Sequence, residues 1–504
     1  MKKTAVIGSG FAGLTAAACL AQAGFDVTVF EKNATPGGRA RKFEEHGFTF
    51  DMGPSWYWMP DVFDKFFARF GKKTSDYYQL KRLDPSYRIY YSKADFLDIP
   101  AGVNSLCKLF EEQETGSGKK LLEFLEEGKF KYDIGVNELV YKPGLSLSEL
   151  FDVKLLKGVF NLHIFHSLSR YVRKFFKNPR LIQLLEFPVL FLGATAQKTP
   201  ALYSLMNYAD MALGTWYPKG GMFKIVEGMT AIAKEQGVKF EFNSEVSGFE
   251  MNGNAIKAII LNGEARDFDY VIAGADYHHV EQTLLPRSHR RYSEKYWKSR
   301  SMAPSSLIFY LGLNKKIEGL LHHTLFFDQD FSLHSREIYD DPKWPTSPQF
   351  YVSSPSQTDP TVAPEGHENI FILIPVATDL TDDASTRKKY FNLVMDRFEK
   401  IIGQSIKKHI VFKRSYAHKD FISDYNAFKG NAYGLANTIL QTANLKPSMI
   451  NKKVKNLFYT GQLTVPGPGV PPSLISGQVV ADELIRRNRS QENRNLKRVK
   501  LVNS

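Results

Sequence analysis

The first 31 residues carry the pattern that most limits how this chain can fold. Residues 4–7 are a short apolar run typical of a buried parallel strand, and the G-x-G-x-x-G turn at 8–13 follows directly. An Ala-rich segment at 14–23 predicts a helix, and residues 27–30 predict a second strand that ends at Glu31. This order of strand, turn, helix, strand and acid predicts a dinucleotide site.

Each residue type in this segment has a defined role at such a site. Gly8 permits the tight turn, Gly10 lets the backbone approach a pyrophosphate, and Gly13 allows close contact between helix and strand. The start of the helix offers unpaired N–H groups to the phosphates. Glu31 stands where an acid accepts hydrogen bonds from the ribose hydroxyls. By itself this segment fits either FAD or NAD.

The composition limits the partners that the chain can have. Its 504 residues carry a net charge of +13, with 43% hydrophobic residues and two cysteines, Cys19 and Cys107. This length predicts two or three domains. Two cysteines exclude a disulfide framework or a thiolate metal site and fit a reducing cytoplasm. No apolar run is long enough to span a membrane, and the basic residues follow no nucleic-acid-binding motif, so we expect no nucleic-acid partner.

A second glycine-rich turn, Pro-Gly-Gly-Arg-Ala at 36–40, follows Glu31. Its adjacent glycines would let the backbone pass close to a second phosphate, which Arg39 would neutralise. Farther on, residues 47–55 predict a strand and a tight turn, followed by three aromatic residues at 56–58. These aromatic residues fit an apolar ligand site and a protein core equally well.

Several stretches together resemble the bacterial-type phytoene desaturases, within the wider superfamily of FAD-dependent, amine-oxidase-like proteins. They are G-S-G-F-A-G-L at 8–14, E-K at 31–32, P-G-G-R-A at 36–40 and G-F-T-F-D-M-G-P-S at 47–55. Residues 214–222 and 275–279 also match family stretches, and residues 456–473 are similar to the family's C-terminal strand, Pro/Gly turn and helix. The resemblance extends to about residue 487.

The C-terminal motif also has a physical interpretation of its own. Pro471 and Pro472 suit the first turn of a helix, where their missing N–H groups would be unpaired anyway. The predicted helix at 474–486 ends in arginines that complement its dipole. A positive helix end aimed at the pyrimidine edge of a flavin would stabilise the anionic reduced form. Together with the N-terminal motif, this favours FAD.

The resemblance implies an α/β fold: a Rossmann-like FAD-binding domain of the amine-oxidase-like type, with an inserted α+β substrate domain and a helical membrane-facing segment. We predict that residues 1–75, 220–300 and 448–487 form the discontinuous FAD-binding domain. Residues 76–219 and 301–447 would form the substrate domain, and 488–504 a basic, disordered tail. Residues 102–200 are predicted to be mostly helical. Strands are predicted at 237–246, 256–261, 268–273, 307–311, 324–327, 349–352 and 370–374.

The resemblance also implies which residues bind FAD, including a backbone contact from Val246 to the adenine. The predicted cofactor-binding residues are Gly8, Gly10, Phe11, Ala12, Gly13, Glu31, Lys32, Gly38, Arg39, Gly53, Pro54, Ser55, Val246, Gly461, Gly469 and Val470. No metal site is predicted, because the histidine pairs at 278–279 and 322–323 lack carboxylate or cysteine companions at ligand spacing.

Residues 151–176 bear on whether the protein binds a membrane. Apolar residues recur there at helical spacing, lysines and arginines flank them, and Asp152 is the only acid nearby. A helix in the plane of a membrane has this pattern, and so does a surface helix whose apolar face packs inward. A carotenoid substrate, implied by the resemblance, favours a cytoplasmic protein bound peripherally to the inner face of the cell membrane. The basic tail would add attraction to anionic lipid.

The resemblance implies hydride transfer to FAD from one carbon of the carotenoid and proton loss from its neighbour. A hydride acceptor is needed because no base alone removes a proton from an unactivated hydrocarbon. Repeated on phytoene, this reaction gives lycopene, with a quinone or oxygen as electron acceptor. The family's catalytic carboxylate falls near Glu149, but Asp152 stands where its basic partner is expected. Glu149 is therefore only a weak catalytic candidate, and a surface carboxylate is the alternative.

Other functions on the same scaffold stay open. A desaturase for diapophytoene or hydroxylated carotenoids, or an isomerase that uses reduced flavin, would carry the same FAD motifs. A non-enzymatic prenyl carrier on this fold would not need the intact motif that this chain retains. The presence of bound flavin separates the carrier from the enzymes, and product identity separates the enzymes from one another.

Overall fold

A computed structural model describes residues 1–146, 166–438 and 441–502. Its strands are β1 (Lys3–Ile7), β2 (Asp26–Phe30), β3 (Lys42–Glu45), β4 (Phe48–Asp51), β5 (Leu80–Arg82), β6 (Tyr87–Ser92), β7 (Asp95–Ile99), β8 (Trp216–Pro218), β9 (Lys239–Glu241), β10 (Val246–Asn252), β11 (Ala255–Leu261), β12 (Glu264–Asp267), β13 (Tyr270–Ala273), β14 (Ser305–Leu313), β15 (His323–Phe326), β16 (Phe350–Ser353), β17 (Glu368–Val376), β18 (Ile410–Tyr416) and β19 (Leu457–Tyr459).

Short 3₁₀ and π segments lie between some of the α-helices. They are α1 (Phe11–Gln22), α2 (Pro60–Arg69), α3 (Val103–Gln113), α4 (Ser117–Ile134), α5 (Leu168–Phe175), α6 (Pro179–Glu186), α7 (Leu205–Tyr208), α8 (Phe223–Glu235), α9 (Tyr277–His279), α10 (Glu294–Lys298), α11 (Phe331–Tyr339), α12 (Ala384–Ile402), α13 (His418–Tyr425) and α14 (Val470–Val502).

The N-terminal strand β1 lies at the centre of a five-stranded parallel sheet with the order β19-β13-β1-β2-β9. Its strands come from three distant parts of the chain, within residues 3–30, 239–273 and 457–459. Side chains of β1 alternate between the two faces: Val6 packs with α1 and α14, whereas Ala5 and Ile7 pack with the antiparallel sheet β10-β11-β12. Both faces are covered, which explains the unbroken apolar run in the sequence.

The second sheet has seven strands in the order β18-β14-β17-β16-β15-β6-β7, and it is mixed because β15 and β6 run parallel. It contains the four strands predicted between residues 307 and 374. Leu307 and Phe309 pack towards α12, whereas Ile308 and Tyr310 face a core shared with helices α3 to α6. These four helices also confirm the mostly helical prediction for 102–200 in the described residues.

The prediction of a nucleotide-sheet strand at 237–246 is only partly right. Strand β9 ends at Glu241, and Asn243 adopts a left-handed conformation with φ of 53° that turns the chain away. Val246 then begins β10, which pairs with β11 in the separate antiparallel sheet. The strand predicted at 256–261 is β11 of that sheet, and the one at 268–273 is β13 of the parallel sheet.

The tail predicted to be disordered continues α14 as far as Val502, and that prediction is wrong for this segment. Residues 488–502 contain no glycine or proline that would end a helix. The Asn488 amide donates to Glu492 one turn later at 2.9 Å, and Arg487 pairs with Glu483 in the preceding turn. Such pairs at i and i+4 stabilise an exposed helix.

The predicted membrane-facing helix is described only from residue 166 onwards; residues 151–165 and Glu149 lie outside the described residues. In α5, Leu168, Tyr171 and Val172 are buried in the core. In this part the apolar face packs inward, so the surface-helix alternative applies. Among the described residues, no helix combines the length and apolar character needed to cross a membrane.

Candidate functional site

A cavity of about 400 Å³ lies between the two large sheets. At one end its walls include the residues that follow β1, β2 and β13, which are the carboxyl ends of three parallel strands. Ligands bind at this edge in open α/β sheets. At the other end the second sheet contributes Ser306, Ile308, Tyr351 and Leu373.

The glycine-rich turns pack so closely that a side chain at Gly8, Gly13 or Gly38 would meet backbone atoms. Gly8 has a φ of 92°, and a Cβ on Gly13 would lie 2.0 Å from the Gly8 carbonyl oxygen. Gly38 has a φ of 55°, and its Cβ would lie 3.2 Å from the Cα of Gly10. The two turns therefore meet backbone to backbone, a geometry that lets main-chain groups approach a pyrophosphate.

Glu31 is held at the end of β2 by four hydrogen bonds. The Ser9 N–H and hydroxyl donate to its Oε2 at 2.9 and 2.7 Å, and the Asn33 N–H and side-chain amide donate to its Oε1, each at 2.9 Å. Two carboxylate oxygens offer about four lone pairs. Ribose hydroxyls that reach Glu31 must therefore share these acceptors or replace one donor. The predicted ribose contact stays a prediction.

Arg39 places a buried cation beside the two glycine turns. Its Nη2 donates to the Asn431 carbonyl at 3.2 Å, while its Nε is buried without a hydrogen-bond partner in the described part of the chain. Burial lowers the pKa of Arg39 and raises that of the nearby Asp276 to about 6. An unsatisfied buried N–H is costly, so this donor fits the phosphate of a dinucleotide.

The C-terminal turn lines the cavity next to the first glycine turn, because a Cβ on Gly461 would lie 3.8 Å from the Cβ of Ala12. Gly461 and Gly469 adopt φ values of 107° and 114°, and α14 begins at Val470. The hydroxyl of Ser476 accepts from the Gly461 N–H at 3.0 Å and donates to the Val465 carbonyl at 2.7 Å. These bonds fasten the turn to its helix, whose N-terminal end carries a partial positive charge.

All of the predicted cofactor-binding residues except Gly13 line this cavity. Gly13 lies behind the turn, where it allows α1 to approach β1 as its predicted role requires. Sequence reasoning missed a cover over the nucleotide end that is formed by α13. The Lys32 ammonium donates to the Ser423 carbonyl at 2.8 Å, and Arg41 forms a 2.5 Å ion pair with Asp424. No local pattern links these partners, because they lie far apart in sequence.

The three consecutive aromatic residues divide between ligand site and core. Trp56 and Trp58 line the cavity, whereas Tyr57 is buried and stacks on Phe63 at 4.5 Å. Trp56 in turn stacks on His323 at 4.1 Å with the rings nearly parallel. Alternation along an extended segment explains this division.

Polar groups are distributed unevenly along the cavity. In the described part of the chain, its carboxylates belong to Glu31, Glu245, Asp276 and Asp424, which lie with Lys32, Arg39 and Arg41 at the nucleotide end. The aromatic end offers hydroxyl groups and apolar side chains. It therefore suits an apolar substrate, while the nucleotide end suits a charged cofactor.

Both histidine pairs make protein contacts. His278 stacks on Phe428 at 3.9 Å, and His279 lies 3.3 Å from the Asn426 amide. His322 lies 2.9 Å from the Thr358 hydroxyl. Burial lowers the pKa of His278 to about 4 and that of His322 to about 3, so both stay neutral near pH 7.

Comparisons with known proteins agree with this geometry. Residues 11–485 match the family described as flavin containing amine oxidoreductase. A carotenoid 3,4-desaturase from Haloarcula japonica is 40% identical over 95% of this chain and 97% of its own length. A zeta-carotene-forming phytoene desaturase from Myxococcus xanthus is 31% identical over 96% of this chain and 94% of its own length. The solved structure of an oxidoreductase from Methanosarcina mazei superposes with a TM-score of 0.62 at 17% identity, over 95% of this chain and 100% of that one.

The family match, together with this fold and cavity, defines a flavoprotein whose cofactor is FAD. The chain belongs to the flavin containing amine oxidoreductase family and, within it, to the carotenoid desaturases.

Proposed function

We propose that this protein dehydrogenates phytoene stepwise toward lycopene, using FAD. The observation that carries the proposal is a single cavity with a charged nucleotide end and an aromatic end without carboxylates in the described walls. A second candidate is 3,4-desaturation of a more unsaturated carotenoid. The 40% identity to the Haloarcula japonica enzyme, against 31% for the phytoene desaturase, favours this second reaction.

Bound FAD supplies a hydride acceptor. The chain positions the substrate and excludes water from the site. An apolar hydrocarbon offers no polar group for a hydrogen bond, so the shape of the cavity has to position it. Trp56 and Trp58 are suited to this role because both are fixed. Trp56 stacks on His323, and the Trp58 indole N–H donates to the Thr215 hydroxyl at 2.8 Å.

The test presents purified, FAD-loaded protein with phytoene or with lycopene in liposomes and identifies the products by chromatography and mass spectrometry. Conversion of phytoene to lycopene supports the first candidate. Loss of two hydrogens from lycopene, with phytoene unchanged, supports the second. If neither carotenoid is consumed and neither bleaches the flavin, both candidate reactions are contradicted. The variant Trp56→Ala should keep the flavin spectrum and raise KM for the carotenoid, because Trp56 lines the aromatic end of the cavity and not the charged nucleotide end.

We also propose a cytoplasmic protein that docks peripherally on the inner face of the cell membrane. An apolar carotenoid is available only from lipid, and exposed cations lie on α5 (Arg170 and Lys174) and just after it (Lys177). Each such cation near an anionic surface contributes about 1 kcal/mol. Replacing the three by Gln should weaken sedimentation with anionic vesicles, whereas replacing exposed Lys388, Lys400 and Lys408 should not. Equal loss in both triple variants would contradict this surface.

A quinone or oxygen is proposed as electron acceptor. Stopped-flow reoxidation of the reduced enzyme, with a soluble quinone or with oxygen alone, measures the two rates directly. Reoxidation by NAD(P) instead would contradict the proposal.

A further inference from the structure

A second, much smaller cavity adjoins the aromatic end of the main one. Its volume of about 20 Å³ is room for one water molecule. Asp51, Tyr217, Met222 and His322 line it, and Ser55 lines both cavities. Ser55 therefore stands between the substrate space and an internal, water-sized site that holds a carboxylate.

The carboxylate of Asp51 is fixed but retains acceptor capacity. It accepts the N–H groups of Met222 and Phe223 at 2.7 and 2.9 Å, one on each oxygen. Each oxygen has two lone pairs, so one on each stays available to a water. These two bonds also hold the first turn of α8 against β4. Asp51 therefore has a structural role, and a test of proton transfer must distinguish the two roles.

Among the residues that line this small cavity, Asp51 is the group suited to accept a proton. His322 is neutral because burial lowers its pKa to about 3, and the Tyr217 hydroxyl donates to Asp359 at 3.2 Å. Lys42, whose ammonium lies above the Phe223 ring, favours the charged form of Asp51. Burial outweighs these effects and raises the pKa of Asp51 to about 6. Asp51 is thus ionised at pH 7 and takes up a proton more readily than an ordinary carboxylate.

Ser55 has the hydrogen bonds needed to pass a proton on. The Tyr351 hydroxyl donates to the Ser55 oxygen at 3.0 Å, and the Tyr351 oxygen lies 2.6 Å from His323 Nδ1. One lone pair of Ser55 is thereby used, which leaves a second lone pair and the hydroxyl hydrogen. The lone pair can receive a proton from the main cavity while the hydrogen is donated to the small cavity.

We propose that Asp51 is the terminal proton acceptor of the dehydrogenation, and that Ser55 and one water in the small cavity carry the proton to it. This proposal rests on the proposed function. Bound FAD would supply the hydride acceptor. The substrate would lose a hydride from one carbon, and the electron pair of the neighbouring C–H bond would form the new double bond. The released proton goes to the Ser55 oxygen, the Ser55 proton goes to the water, and a water proton goes to Asp51, which becomes a carboxylic acid.

The first test measures the rate of anaerobic flavin bleaching by the carotenoid as a function of pH. The wild-type rate should rise with pH through a midpoint near 6, because only the ionised Asp51 accepts a proton. Asp51→Asn should slow bleaching by roughly 10²-fold, the size of a general-base contribution, and abolish the pH dependence. Asp210→Asn is the matched control. Asp210 is also buried with its pKa raised to about 6, but it lines neither cavity.

A second variant and a second readout distinguish the role of Asp51 in proton transfer from its role in holding α8 in place. Ser55→Ala removes the relay hydroxyl without touching the bonds from Asp51 to α8. It should slow bleaching and flatten the pH profile. The infrared carbonyl band of protonated Asp51, assigned by its absence in Asp51→Asn, should still titrate near pH 6 in Ser55→Ala.

The possible failures are distinguishable. Bleaching that keeps the wild-type pH profile in both Asp51→Asn and Ser55→Ala would overturn the relay alone. A wild-type flavin that no carotenoid bleaches would contradict the proposed function, and the relay with it.

Discussion

Gly477 in α14 packs against the backbone of Ala12 in α1 so closely that a Cβ at position 477 would lie 2.3 Å from the Ala12 carbonyl oxygen. The same Cβ would lie 2.7 Å from the Cβ of Thr15. Both helices begin at the wall of the main cavity, one with the first glycine turn and the other with the C-terminal turn. The contact therefore sets the distance between the two helix starts that face FAD.

Gly477→Ala should separate these helices. The inserted methyl group meets backbone atoms that cannot rotate away, and such overpacking costs about 1–3 kcal/mol. We expect the free energy of unfolding in urea to fall by that amount and the affinity for FAD, measured by fluorescence titration, to weaken. Gly248→Ala is the control, because its Cβ would make an ordinary 3.4 Å contact with the flexible Cδ1 of Ile260. Equal stability of both variants would contradict this role of Gly477.

Glu31→Gln should weaken FAD binding through the loss of acceptor capacity. Gln offers one acceptor oxygen where Glu31 accepts four donors from Ser9 and Asn33, so donors of the glycine turn lose their partners. A hydrogen bond to a charged group contributes about 1.5–3 kcal/mol, which corresponds to a roughly 10- to 150-fold higher Kd. Glu241→Gln changes an exposed carboxylate in neighbouring β9 that pairs with Arg266, and should leave the Kd unchanged. Fluorescence titration with FAD decides between these outcomes.

The glycines at the two turns could be predicted from the sequence because the backbone conformation that they permit depends only on neighbouring residues. Gly8 and Gly38 adopt positive φ values, and the backbone around them must approach a ligand, so the sequence itself marks both positions. The cover formed by α13 has no such marker. Lys32 and Arg41 could each have been an ordinary surface cation, and only the folded chain brings them to Ser423 and Asp424.

Periodicity alone also failed to fix the environment of a helix. The apolar spacing in α5 is the same for a membrane-bound helix and for one packed on a core, and Tyr171 and Val172 are in the core. Asp51 shows a related limit. It lies in a recognised motif, but its partners Met222 and Phe223 come from α8, and its burial follows from that long-range contact.

Arg41→Met should speed the release of FAD. The Arg41 guanidinium and the Tyr416 hydroxyl both bond to the Asp424 carboxylate, at 2.5 and 2.9 Å, and so hold α13 over the nucleotide end. Met keeps most of the side-chain stem but removes the charge-assisted bond, so we expect a roughly tenfold faster release. The measurement is the rise of free-FAD fluorescence after a large dilution of the holoenzyme. Lys2→Met removes an exposed ion pair with Asp269 away from the cavity, and a similar acceleration there would refute the role of α13.

Asp210→Asn should change how stability depends on pH. Burial raises the pKa of Asp210 from 3.8 to about 6, although Tyr87 and Thr215 donate hydrogen bonds to it. Between these two pH values the folded state binds a proton that the unfolded state does not, so the contribution of Asp210 to stability falls as pH rises.

The predicted quantity is the unfolding free energy of Asp210→Asn minus that of the wild type. The shift of about two pKa units corresponds to about 3 kcal/mol. The difference should therefore grow by about that amount between pH 4 and pH 6 and stay constant above. Other buried groups also make stability depend on pH. Burial raises the pKa values of Asp51 and Asp276, which act in the same direction as Asp210, and lowers those of His278 and His322, which act in the opposite direction. Subtracting the wild-type free energy cancels these contributions, because both proteins share them. Urea unfolding across this range measures it, and a difference independent of pH would show that Asp210 titrates normally in the folded protein.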